Sequence, residues 1–531
     1  MKPESFITLY TKDIVDKISE IHKFKKKIGL CHGCFDLAHH GHLIHFEEAK
    51  EYCDYLVVSV TADAFVKKGP GRPLLDQQAR AHFLASLAPV DAVIICNEST
   101  ALSAIQFIKP NFYFKGPDYL DKSDDVTGMI KLEEVEVTKF GGSLICTTGK
   151  KLSSTQLINS SNLLKLPANT KSFLDSIRDE TSFDEVLHFI EDEFSSINIS
   201  IIGDLIIDEY VTTIPVGTTS KSPAISTIYS GSELMLGGSA AISRHAANFA
   251  NSIDLFCQKG GLNWTFDNLI ESNIPSNLKI HWSINDNAYT PQKVRFFGSG
   301  YPNPIRDLSL HNSLKTSENP QKLFELAYLN NPNEDYFQLD RLLATNNLYK
   351  SILSNSDVVI FSDFGHGLLS INSWDTVRAL AKMTLLNVQT NSTNFGFNLI
   401  SKYKNPTYAC IDELESRLFL SDRTSTISTI WKNTFSRINP ISLFITQGSK
   451  GMYCGDSNYS SSVPAFGTKI VDPVGAGDAV LAALALCMAA KAPSQITNLI
   501  CSAFGGLACE IVGNRESISK ASVIKFIKGI Y

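Results

Sequence analysis

Strand-length apolar runs that stop at a glycine or polar turn, with helix-length stretches between them, constrain this chain most. Lys27–Leu30 runs through Cys31 and His32 into Gly33. Tyr55–Val60, Asp91–Cys96 and Phe112–Lys115 are further strand-like runs. Between them, Leu43, Phe46 and Ala49 recur at helical spacing within 41–52, and helical stretches lie near 76–88 and 101–108. This β-α-β order requires a parallel sheet with helices on both faces.

The pattern repeats after a break. Residues 161–195 read as a linker with a helix, rich in Ser, Asn, Lys and Asp at its start and interrupted by Pro167. Ser182 opens that helix with Glu185 in capping-box position, and Phe183, Val186, Leu187, Ile190 and Phe194 form its apolar face. Strands are expected at Ile199–Ile202, Asp357–Phe361, Leu385–Val388 and Ser442–Thr446. Residues 305–350 are polar and Asn-rich and read as an insertion with some helix. The expected organisation is α/β throughout, with a Rossmann-like domain over 1–160 and an α/β/α sandwich over 196–531.

Charge and cysteine usage narrow the partners. With 48 Lys and Arg against 54 Asp and Glu, the net charge is -6, so no broad basic field tracks a nucleic-acid backbone. The 11 cysteines are scattered singly, as reduced thiols would be. Residues 1–30 carry no signal-peptide stretch, and the apolar run Ala479–Ala490 is too short to span a bilayer. The expectation is a cytoplasmic protein that engages neither nucleic acid nor membrane and forms a homo-oligomer, a dimer.

The densest chemistry lies in Gly33-Cys34-Phe35-Asp36-Leu37-Ala38-His39-His40-Gly41-His42. His39 and His42 flank Gly41 where the first strand gives way to a helix, whose amides and field favour an anion. Gly41 admits a phosphate close to the backbone. Both imidazoles can donate to a phosphoryl group as charge builds on it. Helix capping alone is the bland reading. Zinc is the rival, with Cys31, Cys34, His39 and His42 nearby, but Cys31 falls on a strand and no second ligand pair follows at zinc-like spacing. Further anion-binding features are the basic loop Lys67–Pro73 with Lys68 and Arg72, Arg80 on the next helix, Lys115 at a strand end, and Ser153-Ser154-Thr155 opening a short helix. Together they suggest a nucleoside triphosphate site.

This stretch resembles the nucleotidyltransferase signature of the cytidylyltransferase-like superfamily, and the likeness runs through Asp54–Val60, Lys68–Pro73, Arg80, Val90-Asp91, Lys115–Tyr119 and Ser153–Thr155. It is most similar to the transferase half of bifunctional heptose phosphate kinase/heptose 1-phosphate adenylyltransferases, and less so to glycerol-3-phosphate cytidylyltransferases. The resemblance implies that His39 and His42 stabilise the transition state at the α-phosphate. It implies that Lys68, Arg72 and Ser153–Thr155 bind phosphates, with Gly33, Phe35, Gly41, Arg80 and Lys115 lining the nucleotide site. Asp118 is implied as a contact for sugar or nucleotide.

The second domain carries Val471-Asp472-Pro473-Val474-Gly475-Ala476-Gly477-Asp478 ahead of its long apolar helix. Gly475, Ala476 and Gly477 place amides at a helix start, an anion hole for a transferring phosphoryl group. Asp478 beside it is ill-placed to bind phosphate but well placed to take a proton from an attacking hydroxyl. A glycine turn with a capping aspartate is the bland alternative. No GxxxxGK[ST] loop occurs, so a P-loop ATPase does not explain the chain.

With Gly203-Asp204, Asp208, Gly237-Gly238-Ser239, Lys293, Arg295 and Thr446–Gly451, this motif looks like the ribokinase-like (PfkB) carbohydrate kinase family over 196–531. The resemblance implies Asp478 as catalytic base, Asp208, Gly237 and Gly238 on the sugar, and Thr446 and Gly448 along ATP. Lys293 and Arg295 would grip a phosphate already on the sugar. Asp412 and Glu415 stand at the family's Asn-x-x-Glu, which organises Mg²⁺; here Asp412 replaces the Asn.

The two resemblances imply a bifunctional enzyme using ATP, or CTP for the transfer step, with Mg²⁺. A sugar or sugar phosphate, a heptose phosphate first of all, is phosphorylated, and its 1-phosphate is joined to a nucleotide with release of pyrophosphate. The domain order is reversed relative to the familiar heptose enzymes, where the kinase comes first. The alternatives are one active half beside a structural or regulatory one, a transferase acting on a cofactor precursor, and a nucleotide-binding protein without catalysis.

Overall fold

The computed structural model describes residues 7–9, 14–116, 129–148, 166–298, 321–330, 339–467 and 470–531. By contacts the chain divides into two units: residues 1–183 with 520–531, and residues 184–519. The second unit is therefore an insertion, in sequence, within the first. The second domain expected from sequence runs to 531, whereas residues 520–531 group with the first unit.

The first unit is built on a six-stranded sheet in the order β1-β4-β3-β2-β5-β6. Its strands are β1 (Ile7–Leu9), β2 (Ile28–Gly33), β3 (Tyr55–Thr61), β4 (Ala92–Cys96), β5 (Phe112–Lys115) and β6 (Ser143–Cys146). Only β1 is antiparallel to its neighbour. Period-2 alternation sends neighbouring side chains of β3 to opposite faces. Val57 joins a core with Ile28, Leu30 and Ile94, and Val58 joins one with Phe46, Val60 and Ile95. Both faces are covered, which explains the unbroken apolar runs. The chain leaves β2 for β3 on one side and has β5 on the other, so the order reverses at β2/β5. In such sheets ligands bind at the carboxyl ends of the strands at this reversal. Those ends are Gly33 and Lys115.

The expected linker is more ordered than its composition suggests. Ala168–Glu180 is a helix that buries Thr170, Leu174 and Ile177. Phe183–His188 continues through a π turn and a 3₁₀ turn to Ser196, burying Val186, Ile190 and Phe194 as the apolar face predicts.

The second unit has a nine-stranded sheet, β11-β10-β7-β14-β15-β16-β17-β18-β19, and a four-stranded sheet, β13-β12-β8-β9. In the large sheet β7 (Asn198–Gly203), β10 (Ser252–Gly260), β11 (Leu278–Asn285), β14 (Val358–Asp363), β15 (Thr384–Val388), β16 (Tyr408–Asp412) and β17 (Ser442–Thr446) are parallel. β18 (Met452–Asp456) and β19 (Ser460–Val463) close one edge antiparallel. β8 (Leu205–Thr218) and β9 (Ile225–Gly238) form the long hairpin of the small sheet, to which β12 (Gln292–Gly298) and β13 (Gln321–Tyr328) add. Of the expected insertion, 321–330 holds a strand, and helices span Leu339–Thr345 and Asn347–Asn355. The strand was not anticipated, because its alternation lies inside a polar, Asn-rich stretch.

Candidate functional sites

In the first unit β2 ends at Gly33 and the chain turns through Phe35, whose φ of +49 is rare for a side chain other than glycine. A Cβ on Gly33 would lie 3.1 Å from the Phe35 ring, so glycine is what lets Phe35 fold back over the strand end. Phe35 is buried and meets the His42 ring edge-on at 5.3 Å. It supports His42 from behind.

His39 is the N-cap of helix α1 (His40–Tyr52). Its Nδ1 accepts the Gly41 N–H at 3.1 Å, and His42 Nδ1 accepts the His39 N–H at 3.2 Å. The capping alternative is thus realised, and it takes up the Gly41 amide expected to face a phosphate. It also fixes the chemistry of both rings. With each Nδ1 an acceptor, the neutral imidazole carries its proton on Nε2. Burial, reinforced by His39, His45 and Lys68, pushes His42 down to about 3, so it is neutral at physiological pH. The ring centroids are 4.1 Å apart. The arrangement offers two adjacent Nε2–H groups, not an amide pocket.

Arg72, on the loop after β3, is tied to the histidine motif through Asp36. Its side chain is 1% exposed, and its Nε pairs with the Asp36 carboxylate, which also accepts the Leu74 N–H at 2.5 Å. Among the described residues both terminal nitrogens of Arg72 lack a hydrogen-bond partner. A buried guanidinium with two idle forks is costly unless an anion completes it. Lys68 is half-buried on the same loop.

Two expected anion contacts have other work here. Arg80 is fully buried; its Nε donates to Leu75 O at 2.9 Å, its NH1 to Cys34 O at 2.6 Å, and its NH2 pairs with Asp63. Its NH1 braces the loop after β2 and its other nitrogens the stretch between β3 and its own helix, so it is a scaffold for the site. Lys115 Nζ pairs with the buried Glu133 at 2.9 Å, and Glu133 also accepts Tyr113 OH and the Ala101 N–H. Its charge is balanced within the fold. Asp118, Ser153, Ser154 and Thr155 lie outside the described residues. Asp36 and Glu133 were not singled out from sequence; Asp36 stood inside the motif with no assigned partner.

In the second unit Ile206, Asp208, Gly238, Lys293, Arg295, Phe364, Gln389, Val474, Gly475, Gly477, Asp478 and Asn514 line a cavity of about 150 Å³. It gathers seven expected residues from four separate segments. Gly475, at φ +86, caps the helix Ala476–Ala489, and a Cβ there would lie 2.2 Å from Asn514 Oδ1. Only glycine lets the loop turn into the helix at that point. The Ala476 N–H, expected to face a phosphate, donates instead to Pro473 O at 3.3 Å; Gly477 also lies in the first turn, where amides have no partner within the helix.

Asp478 is buried, and burial pushes its carboxyl up to about 7; Gln389 and Lys293 oppose this and Asp208 adds to it. Gln389 Nε2 donates to Asp478 Oδ1 at 3.2 Å. Asp208 pairs with Arg295, which also meets Glu325 at 3.2 Å. A Cβ on Gly237 would strike Asp208 Oδ2 at 2.2 Å, so Gly237 makes room for that carboxylate. Burial holds Lys293 below the usual lysine range, with Asp208 pulling the other way. Gln389 and Asn514 were missed from sequence. The signal for Gln389 was its place just past the carboxyl end of β15; Asn514 gave none.

The proposed metal pair does not form a cage. Asp412 caps the helix Glu413–Leu420 through Leu414 N–H, and Glu415 spends one oxygen on Asp412 N–H at 2.8 Å and the other on Thr390 N–H at 2.9 Å. Burial pushes Glu415 up to about 8. Thr446 Oγ1 lies 3.4 Å from Asp412 Oδ2, and Gly448, at φ +54, is exposed in the following turn. No group of three or more His, Cys, Asp or Glu suited to a metal occurs among the described residues. These donors do not fit a Mg²⁺ ion held by protein alone.

Residues 30–163 match the model of the cytidylyltransferase-like family, and residues 402–521 that of the pfkB family carbohydrate kinases. The chain thus carries a cytidylyltransferase-like domain followed by a pfkB carbohydrate kinase domain. The "Bifunctional protein HldE" of Aliarcobacter butzleri is 38% identical over 162 residues, 30% of this chain and 34% of that relative. The protein of that name from a Nitratiruptor species is 42% identical over 123 residues, 23% of this chain and 26% of that one. The chain therefore spans about a third or less of these curated relatives. Among solved structures, phosphofructokinase-2 from Escherichia coli in complex with substrates and products is 14% identical at a TM-score of 0.47, covering 62% of this chain and 98% of that one. Arabidopsis thaliana ribokinase complexed with ribose and ATP gives 14% and 0.47, covering 63% and 99%. Among the described residues no helix is long and apolar enough to cross a membrane.

Proposed function

We propose that the chain carries out two successive phosphate chemistries: phosphorylation of a sugar phosphate by ATP, and nucleotidyl transfer from ATP or CTP to the resulting sugar 1-phosphate. A heptose phosphate is the sugar we favour, on the likeness to the heptose enzymes. The observation that carries the reading is paired. Asp36, within the motif that carries His39 and His42, pairs with Arg72, a buried cation whose terminal nitrogens have no partner among the described residues, and Asp478 is a buried carboxyl poised near neutrality beside a glycine-opened helix start.

In the kinase half, Asp478 takes the proton of the attacking sugar hydroxyl while the first-turn amide at Gly477 faces the transferring phosphoryl group. A carboxyl near 7 is half-ionised at the working pH, which suits a general base. Asp208 receives a sugar hydroxyl. Lys293 and Arg295 face a phosphate already on the sugar. A Mg²⁺ ion accompanying the nucleotide would offset phosphate charge.

In the transferase half, a sugar-phosphate oxygen attacks the α-phosphorus; the new O–P bond forms as the bond to pyrophosphate breaks. His39 and His42, neutral, donate their Nε2–H groups to α-phosphate oxygens. Arg72 and Lys68 take the phosphate charge. No covalent intermediate is required.

The test crosses ATP and CTP with heptose and hexose phosphates and follows ADP and pyrophosphate. The reading expects ADP from one sugar phosphate and pyrophosphate from its 1-phosphate. Neither product with any pair refutes it.

A further inference from the structure

The residues that bear on Lys68 come from the other end of the chain. The helix Lys520–Lys528 ends at Gly529, whose N–H bonds to Lys525 O and Phe526 O at 3.2 Å. There the backbone passes against the Lys68 loop so closely that a Cβ on Gly529 would sit 1.9 Å from Lys68 O and 2.8 Å from Lys68 Cα. The contact is reciprocal. A Cβ on Gly69, at φ +89, would meet Ile530 Cγ1 and Phe526 O, each at 3.3 Å. Ile530 is 1% exposed, and its carbonyl accepts Arg178 Nε at 2.8 Å. Tyr531 OH meets Thr181 Oγ1 at 2.8 Å. The segment is thus anchored on the helix Ala168–Glu180 and its C-cap, and backbone lies against backbone where it crosses the loop. Lys525 reaches far enough toward the end of β2 to act electrostatically on His32. All but two residues of 520–531 fall outside the pfkB match.

We infer that residues 520–531 are a working part of the transferase site, with Gly529 a positioning residue that sets where Lys68 stands. The inference rests on the transferase reading above. Arg72 anchors the far side of this loop through Asp36, while Gly69 beside Lys68 has no side chain of its own to give a packing surface. The Gly529–Ile530 backbone supplies that surface. Because side-chain volume at 529 meets backbone, any residue there other than glycine must displace the loop and its lysine.

The test uses the full chain with Gly529→Ala and Gly529→Val, each alone and combined with Lys68→Ala. Pyrophosphate release and ADP formation are read from the same preparations, with hydrogen exchange over 66–71. A shift of about 1 Å in a charged contact predicts that Gly529→Val lowers kcat/KM for pyrophosphate release by about 10–100-fold, with ADP formation unchanged. In the Lys68→Ala background it should cost less than about twofold further, since residues acting through one another are not additive. Exchange at 66–71 should rise. Full additivity with Lys68→Ala, loss of ADP formation in parallel, or unchanged exchange and pyrophosphate release would overturn the inference. If the wild type releases no pyrophosphate with any substrate pair, the transferase reading falls, and exchange at 66–71 still decides whether Gly529 holds the loop.

Discussion

Gln389 donates a side-chain hydrogen bond to Asp478 across 89 residues of sequence, at 3.2 Å. It stabilises the ionised carboxylate against a burial that pushes the pKa up to about 7. Replacing it with Leu removes that stabilisation, so the acid limb of the pH profile for ADP formation should move to higher pH. Activity then falls at neutrality and recovers as pH rises. An unmoved limb would mean that Gln389 does not tune Asp478.

Asp478→Asn should lower ADP formation by about 10²–10⁴-fold, the usual worth of a positioned base. It should also separate function from stability. The folded pKa near 7 lies above the ordinary carboxyl value of about 3.9, so the folded state bears an unfavourable buried charge above pH 7. The variant should melt no lower than wild type at pH 8, and any advantage should fade as pH falls toward 4. Calorimetry at the two pH values checks the sign.

His39→Asn separates capping from chemistry. Asn keeps an acceptor for the Gly41 N–H but has no Nε2. Helix α1 should hold within about 0.5 kcal/mol, since Asn is a good N-cap. Pyrophosphate release should fall by about 10²–10³-fold, as expected for loss of one transition-state donor. Urea titration and a pyrophosphate assay on the same sample check both.

Glu415→Leu should destabilise the second unit. Both side-chain oxygens accept backbone N–H groups, and an apolar side chain would leave the Asp412 and Thr390 N–H groups without their acceptors. The loss is about 1–3 kcal/mol, the cost of an unsatisfied buried group. Thermal unfolding should show it, with ADP formation reduced and pyrophosphate release kept.

What was legible in the sequence was what periodicity and glycine carry. β2 through β5 fall where the apolar runs place them, and Gly475 and Asp478 stand together because a helix start is local. What stayed hidden depends on partners distant along the chain. Arg80 and Lys115 read as anion contacts because a cation near a phosphate motif looks the same whether it faces solvent or Glu133. Asp412 and Glu415 read as a metal pair, since a capping box has the same spacing. Gln389 carried no signature beyond its place past β15, and nothing local said that Gly529 would lie against Lys68.

The most direct test of two separate phosphate sites in one chain is a single assay that follows ADP and pyrophosphate together for wild type, Asp478→Asn and Arg72→Met. The account predicts that Asp478→Asn abolishes ADP formation and keeps pyrophosphate release from supplied sugar 1-phosphate, while Arg72→Met does the reverse. Loss of both products in either variant, or of neither in both, would contradict it.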